Sequence, residues 1–355
     1  MTDSGSRLPA DDPPAAWVRV DSSYPEALAG VYAGLARRTW DKLGAGPFRV
    51  NAEVARVGSA AVFRESYAAT TETRARFVEP IYACSVPVAW QPDGRYFGQG
   101  LPDGGVPTVE PGMEFWMVAP AGADYASLAM TETALMRYAE TLQLAPPGRL
   151  RKLPRLLDLP QHRVQALRRF ALAVLANLES NRTNLRSPVA IGQMEEGAAV
   201  LLICALLGRA GIPAAGRPKA SYEKLASRAR DYVVSHPQQA PTLTELCDHL
   251  HVGIRALNYA FQHAVGTGAG EYLRLIRLNR VRDELLAARA GPRPVIAELA
   301  SRWGFWHASQ FTRQYRALFG ERPTETVASR EEVAGVEALP PTGRAPAARP
   351  KRFRA

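Results

Sequence analysis

Residues 241–325 carry one short helical layout twice, and this repetition constrains the fold more than any other feature. Pro241-Thr242-Leu243-Thr244-Glu245 opens a helix. Thr242 suits the N-cap and Glu245 falls at N3, where the two residues satisfy each other's backbone N–H groups. Leu243, Leu246, Cys247 and Leu250 share one face, a turn follows at His251-Val252-Gly253, and a second helix carries Leu257 and Phe261 inward before ending at Gly266. The pattern then returns. Leu246, Cys247, Leu250 and Val252 match Leu299, Ala300, Trp303 and Phe305 at an offset of 53. Past the turn, Leu257, Phe261 and Gly266 match Phe311, Tyr315 and Gly320 at an offset of 54. One inserted residue in the second turn explains the slip, and matched core positions on both sides indicate a repeated unit. Two short helices joined by a tight turn make a helix-turn-helix. Such units are expected over 242–265 and 294–319, with Pro294 in the first turn of the second unit's leading helix.

Between them, residues 271–290 are strong helix formers with no Gly or Pro until Gly291. Tyr272, Ile276, Val281 and Leu285 suit a buried stripe. Such a helix spans about 30 Å at its rise per residue, close to the roughly 34 Å between successive major-groove openings on one face of a duplex.

Charge points the same way. The chain has 44 Lys+Arg against 34 Asp+Glu, but residues 1–216 hold 22 against 21, whereas residues 217–355 hold 22 against 13. A neutral front joined to a basic back favours a polyanionic partner for the back. The second helix of the first unit is expected to expose Arg255, Asn258, Tyr259 and Gln262; the equivalents in the second are Ser309, Thr312, Arg313 and Arg316, with Gln310 and His307 nearby. Arg, Asn and Gln are the side chains that make paired contacts to guanine or adenine edges. Arg255, Asn258, Tyr259, Gln262, Ser309, Gln310, Thr312 and Arg313 are therefore the base-facing candidates. Arg277, Arg280 and Arg316 are the phosphate candidates, which position without specifying.

Residues 225–325 resemble the DNA-binding domain of the AraC/XylS family of bacterial transcription regulators. The residues that carry the likeness are Leu257, Phe261, Gly266, Tyr272 to Leu278, Ile296 to Ala300, Trp303-Gly304-Phe305, Ser309 to Arg313, Tyr315 to Gly320 and Pro323. Gly253, where the family has Ser, and Ala256 and Tyr259 depart from it in the first unit. The resemblance implies transcriptional control, an RNA polymerase partner, and a cupin-like front domain that binds a small effector or mediates dimerisation.

The expected architecture is α+β: a β-rich cupin-like sensor or dimerisation region with helices, then an all-α domain with two helix-turn-helix units joined by a helix. The expected domains are a disordered 1–16, a regulatory region over 17–215, a DNA-binding region over 216–327 and a disordered basic tail over 328–355. Within the regulatory region, 22–43 reads as one short helix, 48–118 as strands, and 122–208 as helical, including 130–144, 163–178 and 195–207. Pro and Gly cluster at 211–218, the expected boundary. Tyr67, Phe77, Tyr82, Trp90, Tyr96, Phe97, Phe115 and Trp116 are either core or the lining of an apolar pocket. None of the six histidines falls within 48–118, and no phosphate-binding loop or nucleophile elbow is present, so no catalytic residue, metal or cofactor is expected. The longest apolar run, Gly197 to Gly208, is shorter than the about 20 residues of a membrane span. A cytoplasmic, homodimeric regulator is the expectation. A metal-free barrel enzyme fused to a DNA-binding module and a basic architectural DNA-coating protein are the alternatives.

Overall fold

The computed structural model describes residues 15–23, 27–89, 93–102, 105–144, 150, 153–208, 210–211, 218–236, 241–288, 294–328 and 337–338. The front of the chain builds two antiparallel sheets. The larger has β1 (Ala15–Ser22), β3 (Val50–Val57), β4 (Ala60–Tyr67), β6 (Ile81–Ala89), β9 (Gly105–Val109), β11 (Asp124–Thr131), β12 (Leu156–Asp158), β13 (Ala210–Gly211) and β14 (Glu337–Ala338). Their order is β13-β12-β9-β6-β11-β4-β3-β1-β14. The smaller runs β2-β5-β10-β7-β8, from β2 (Ala36–Lys42), β5 (Thr71–Phe77), β7 (Arg95–Tyr96), β8 (Gln99–Gly100) and β10 (Phe115–Ala119).

Alternation assigns the faces, because successive side chains of a strand point to opposite sides. On β1, Ala16, Val18 and Val20 join a core shared with the smaller sheet, while Trp17 joins a second core on the other face. On β4, Ala61 and Tyr67 go one way and Ala60 and Val62 the other. The second core is closed by α2 (Glu132–Thr141), α3 (Gln161–Ser180) and α4 (Pro188–Leu207). Ser187 caps α4, its Oγ accepting from the Ala190 N–H at 3.2 Å, with Pro188 in the first turn. By length and composition α4 is apolar enough to cross a membrane, but Ile191, Ala198, Ala199, Leu202, Ile203 and Leu206 are buried inside the protein.

The back of the chain is helical: α5 (Pro218–Ser235), α6 (Leu243–Leu250), α7 (Ile254–Val265), α8 (Ala269–Ala287), α9 (Ile296–Arg302), α10 (Ala308–Phe319) and α11 (Pro323–Ala328). Helices α5, α7 and α8 pack against the smaller sheet, α6 packs on α5 and α7, and all four share one core with it.

Several sequence expectations are corrected. Residues 22–43 are not one helix: a short α1 (Ala27–Tyr32) is followed by β2, whose residues pair from Ala36↔Phe77 to Lys42↔Thr71. Residues 124–131 are not helical. They form β11, a central strand covered on both faces, so its sequence lacks the polar alternation that marks a half-exposed strand. Strands therefore reach well beyond 48–118. Helix α2 starts only at Glu132, capped by Thr131. Ala15 and Ala16 belong to β1, and Glu337 and Ala338 pair with it at Arg19 and Val18. The rest of the expected disordered ends, 1–14 and most of 329–355, lie outside the described residues, as do 212–217 of the expected boundary.

Candidate DNA-reading surface and the cavity behind it

Both repeated units form, and their matched positions are buried alike. Leu246 and Leu299, Leu257 and Phe311, and Phe261 and Tyr315 are all at most 2% exposed. The closing glycines adopt the same left-handed turn, with φ of 82° at Gly266 and 80° at Gly320. A Cβ is disfavoured there, which is why both helices end on glycine. The second turn is the longer, as the offsets require: α6 and α7 are separated by residues 251–253, α9 and α10 by 303–307. One of the two extra residues is the insertion that the offsets imply; the other arises because Trp303, the match of Leu250, is the C-cap of α9 and not part of the helix. Thr242 and Glu245 make the reciprocal cap of α6, with N···O distances of 3.2 and 2.7 Å. Pro294 precedes α9, which starts at Ile296 with Val295 at its N-cap, and so is not in its first turn.

On α7, Arg255, Tyr259 and Gln262 are exposed. The amide of Gln262 donates to the Gly266 carbonyl at 3.1 Å. On α10, Ser309, Gln310, Arg313 and Arg316 are exposed and Thr312 is half-buried, with exposed His307 at the N-cap. Trp306, 77% exposed in the turn before α10, is an aromatic on this surface that the sequence reading passed over.

Three candidates serve other purposes. Asn258 Oδ1 accepts the Ala269 N–H at 3.0 Å and so caps α8. Arg277 donates to the Pro241 carbonyl, tying α8 to the segment before α6, and its desolvation lowers its pKa. Arg280 is paired with Asp41 on β2 and with Asp283 at 3.0 Å. Arg277 and Arg280 are therefore not solvent-facing phosphate ligands; they hold the helical domain together and onto the sheet.

That sheet contact is dense and polar. Asp41 and Glu72 are cross-strand neighbours on β2 and β5, each 1% exposed. Asp41 accepts from Arg230 of α5 at 2.6 Å and from Arg280 of α8. Burial alone would raise the Asp41 pKa, but the Arg280 and Arg230 guanidiniums hold it below the usual carboxylate value. Glu72 accepts from the Tyr272 hydroxyl at 2.6 Å and from Arg74 at 2.9 Å. Arg74 lies over the Trp116 ring and donates to Ser227 of α5. The Lys42 N–H donates to Asn279 Oδ1 and its carbonyl accepts from Asn279 Nδ2, both at 2.9 Å, while its ammonium donates to the carbonyls of Gly46 and Leu318. Gly98, at φ 72° in the turn between β7 and β8, lets backbone approach α7: a Cβ there would lie 3.1 Å from the Ala264 Cα. The front region thus touches both units, at α7 and at the end of α10.

Between the two sheets lies a cavity of about 300 Å³. Its walls include Phe63, Phe77, Ile81 and Phe115, and its polar lining includes Tyr32, Arg38 and Tyr125; exposed Glu79 marks its mouth. Of the aromatics named as pocket candidates, Phe77 and Phe115 line it. Tyr82 faces the helical side, Trp116 faces the helical domain, and Trp90 lies outside the described residues. Arg38 pairs with Glu65 at 2.9 Å, with side chains 5% and 0% exposed, and its guanidinium lies 4.1 Å from the Tyr32 ring centroid. Glu65 Oε2 also accepts from Tyr67 at 3.2 Å and from Tyr125. Burial, with Glu65 nearby, pushes the Tyr125 hydroxyl well above its ordinary value, so it stays protonated and donating.

A family model described as a helix-turn-helix domain matches residues 246–329. The chain is 34% identical over 108 residues to a probable thc operon regulatory protein of Rhodococcus erythropolis, covering 30% of this chain and 32% of that one. It is 30% identical over 116 residues to XylDLEGF operon transcriptional activator 3 of Pseudomonas putida, covering 32% and 35%. The back of the chain is an AraC/XylS-type helix-turn-helix domain. The chain spans about a third of the length of these curated relatives. The solved AraC-like transcriptional activator CuxR overlaps 80% of this chain and 99% of its own at 13% identity and a TM-score of 0.38.

What sequence reasoning missed around the AraC/XylS-type domain is its seat. Asp41, Glu72, Arg74 and Arg230 are not among the residues singled out from the sequence. No local signal marks them: β2 reads ARRTWDK without apolar and polar alternation, and Trp40, Asp41 and Lys42 are all buried in succession.

Proposed function

We propose that the chain is a sequence-specific DNA-binding transcription regulator of the AraC/XylS type that answers to a small molecule held between its two sheets. The observation that carries this reading is the pairing of two exposed second helices, α7 and α10, with a front region that contacts both and encloses a cavity. Arg255, Tyr259, Gln262, Ser309, Gln310, Thr312 and Arg313 read base edges, and Arg316 contacts phosphate. The basic back half adds salt-dependent affinity. The cavity biases presentation of the two units through β2 and β5, which line it on one face and hold Arg230, Arg280 and Tyr272 on the other. Such a regulator works in the cytoplasm with RNA polymerase and as a homodimer.

Genomic footprinting of the full chain tests the reading. Discrete sites spanning two neighbouring major-groove segments are expected. Uniform coverage would instead indicate an architectural coat, and turnover of a cavity ligand would indicate an enzyme.

A further inference from the structure

We infer that the cavity takes an uncharged, mainly apolar molecule of about two fused rings bearing one hydrogen-bond acceptor, such as an aryl amide or ketone, and rejects the matching carboxylate. The inference rests on the regulator reading only for its consequence; the chemistry comes from the cavity itself. A cavity of about 150 Å³ accepts benzene, so one of about 300 Å³ admits roughly twice that bulk.

The charge arrangement decides the class. Arg38 is the lining cation set against the buried interior, and Glu65 already neutralises it at 2.9 Å. A ligand carboxylate would place a second anion against one guanidinium whose side chain is only 5% exposed, where an unmatched charge is costly. The remaining charged lining residues, Arg56 and Glu79, have opposite signs and offer no net field. A ligand cation fares no better, because Glu65 does not line the cavity and already accepts from Arg38, Tyr67 and Tyr125. The Arg38 Nε–H, by contrast, is buried without a hydrogen-bond partner. It can only donate, so it selects an acceptor. The aromatic and aliphatic walls suit a flat ring system.

The test uses the full chain and three probes of one shape: 1-naphthamide, 1-naphthoate and 1-naphthylmethylammonium, titrated by calorimetry at pH 7. The amide is expected to bind at least tenfold more tightly than either ion. Naphthoate binding as tightly as the amide, or no binding by any probe, overturns the inference. Glu65→Gln should shift the preference toward naphthoate at least tenfold by releasing the Arg38 charge; an unchanged ratio in a folded variant also overturns it. If that variant does not fold, the ranking in the unaltered chain still decides. Ala129→Leu, which fills the cavity, should abolish amide binding; retained binding places the ligand elsewhere and overturns the assignment. A footprint on the same preparation reports the regulator reading separately. Amide binding without a footprint sinks only that reading, and a footprint without binding sinks only the ligand class.

Discussion

Arg38 and Asp41 lie on the same strand and face opposite ways: Arg38 reaches into the cavity, and Asp41 enters ion pairs with Arg230 and Arg280 of the helical domain. A strand places odd and even positions on opposite faces, so β2 is shared between the cavity wall and the seat of the helical domain. The same strand thus touches the cavity on one face and α5 and α8 on the other.

Asp41→Asn should release that seat. It removes the carboxylate that Arg230 and Arg280 share; because Arg280 keeps Asp283 and Arg230 keeps Glu72 and Asp231 nearby, the cost falls below the about 3–5 kcal/mol of a buried charge left wholly unpaired. Urea unfolding should show the loss, and limited proteolysis should cut earlier between the front and back regions. Acid has a related effect. Since Asp41 is held below its usual value, its contribution is full above about pH 4 and is lost as pH falls through the lowered value.

The arginines of the back domain should separate by role. Arg313→Ala should cost about 1–3 kcal/mol of operator binding and relax one base position. Arg316→Ala should weaken all sequences alike and reduce the salt slope by about 1. Arg280→Ala should leave the salt slope unchanged and lower stability, because its guanidinium is paired with Asp41 and Asp283. A reduced salt slope for Arg280→Ala in a folded protein would contradict its placement.

Lys42 makes stability depend on alkaline pH. Burial, and then the neighbouring Arg282 guanidinium, pull its ammonium down to about 8 from 10.5. Between those values the unfolded chain binds more protons than the folded one, so this group's contribution rises with pH across that window. Urea midpoints at pH 7.5 and 9.5 should show the unaltered protein gaining relative to Lys42→Met. A parallel response of the two proteins would show that Lys42 titrates normally.

Asn258→Ala should cost about 1 kcal/mol of stability, the usual loss for a helix cap, because it removes the acceptor for the Ala269 N–H. Base preference in a binding-site selection should be unchanged. A changed base at one position would return Asn258 to the reading surface.

The twin units are written in local pattern. Their core spacing, caps and closing glycines depend on residues within a few positions of each other, and a helix's own period reports which of those are buried. Spacing alone matches Leu257 with Phe311 for this reason. The roles of the α8 arginines, by contrast, are set by long-range packing. A guanidinium aimed at phosphate and one aimed at a carboxylate 239 residues away look the same in the chain, as with Arg280 and Asp41. Strand β11 is hidden for a like reason: covered on both faces, it lacks the alternation that exposes a strand to sequence reading. The cavity likewise exists only where β2, β5 and β10 meet the larger sheet, and no local pattern encodes that meeting.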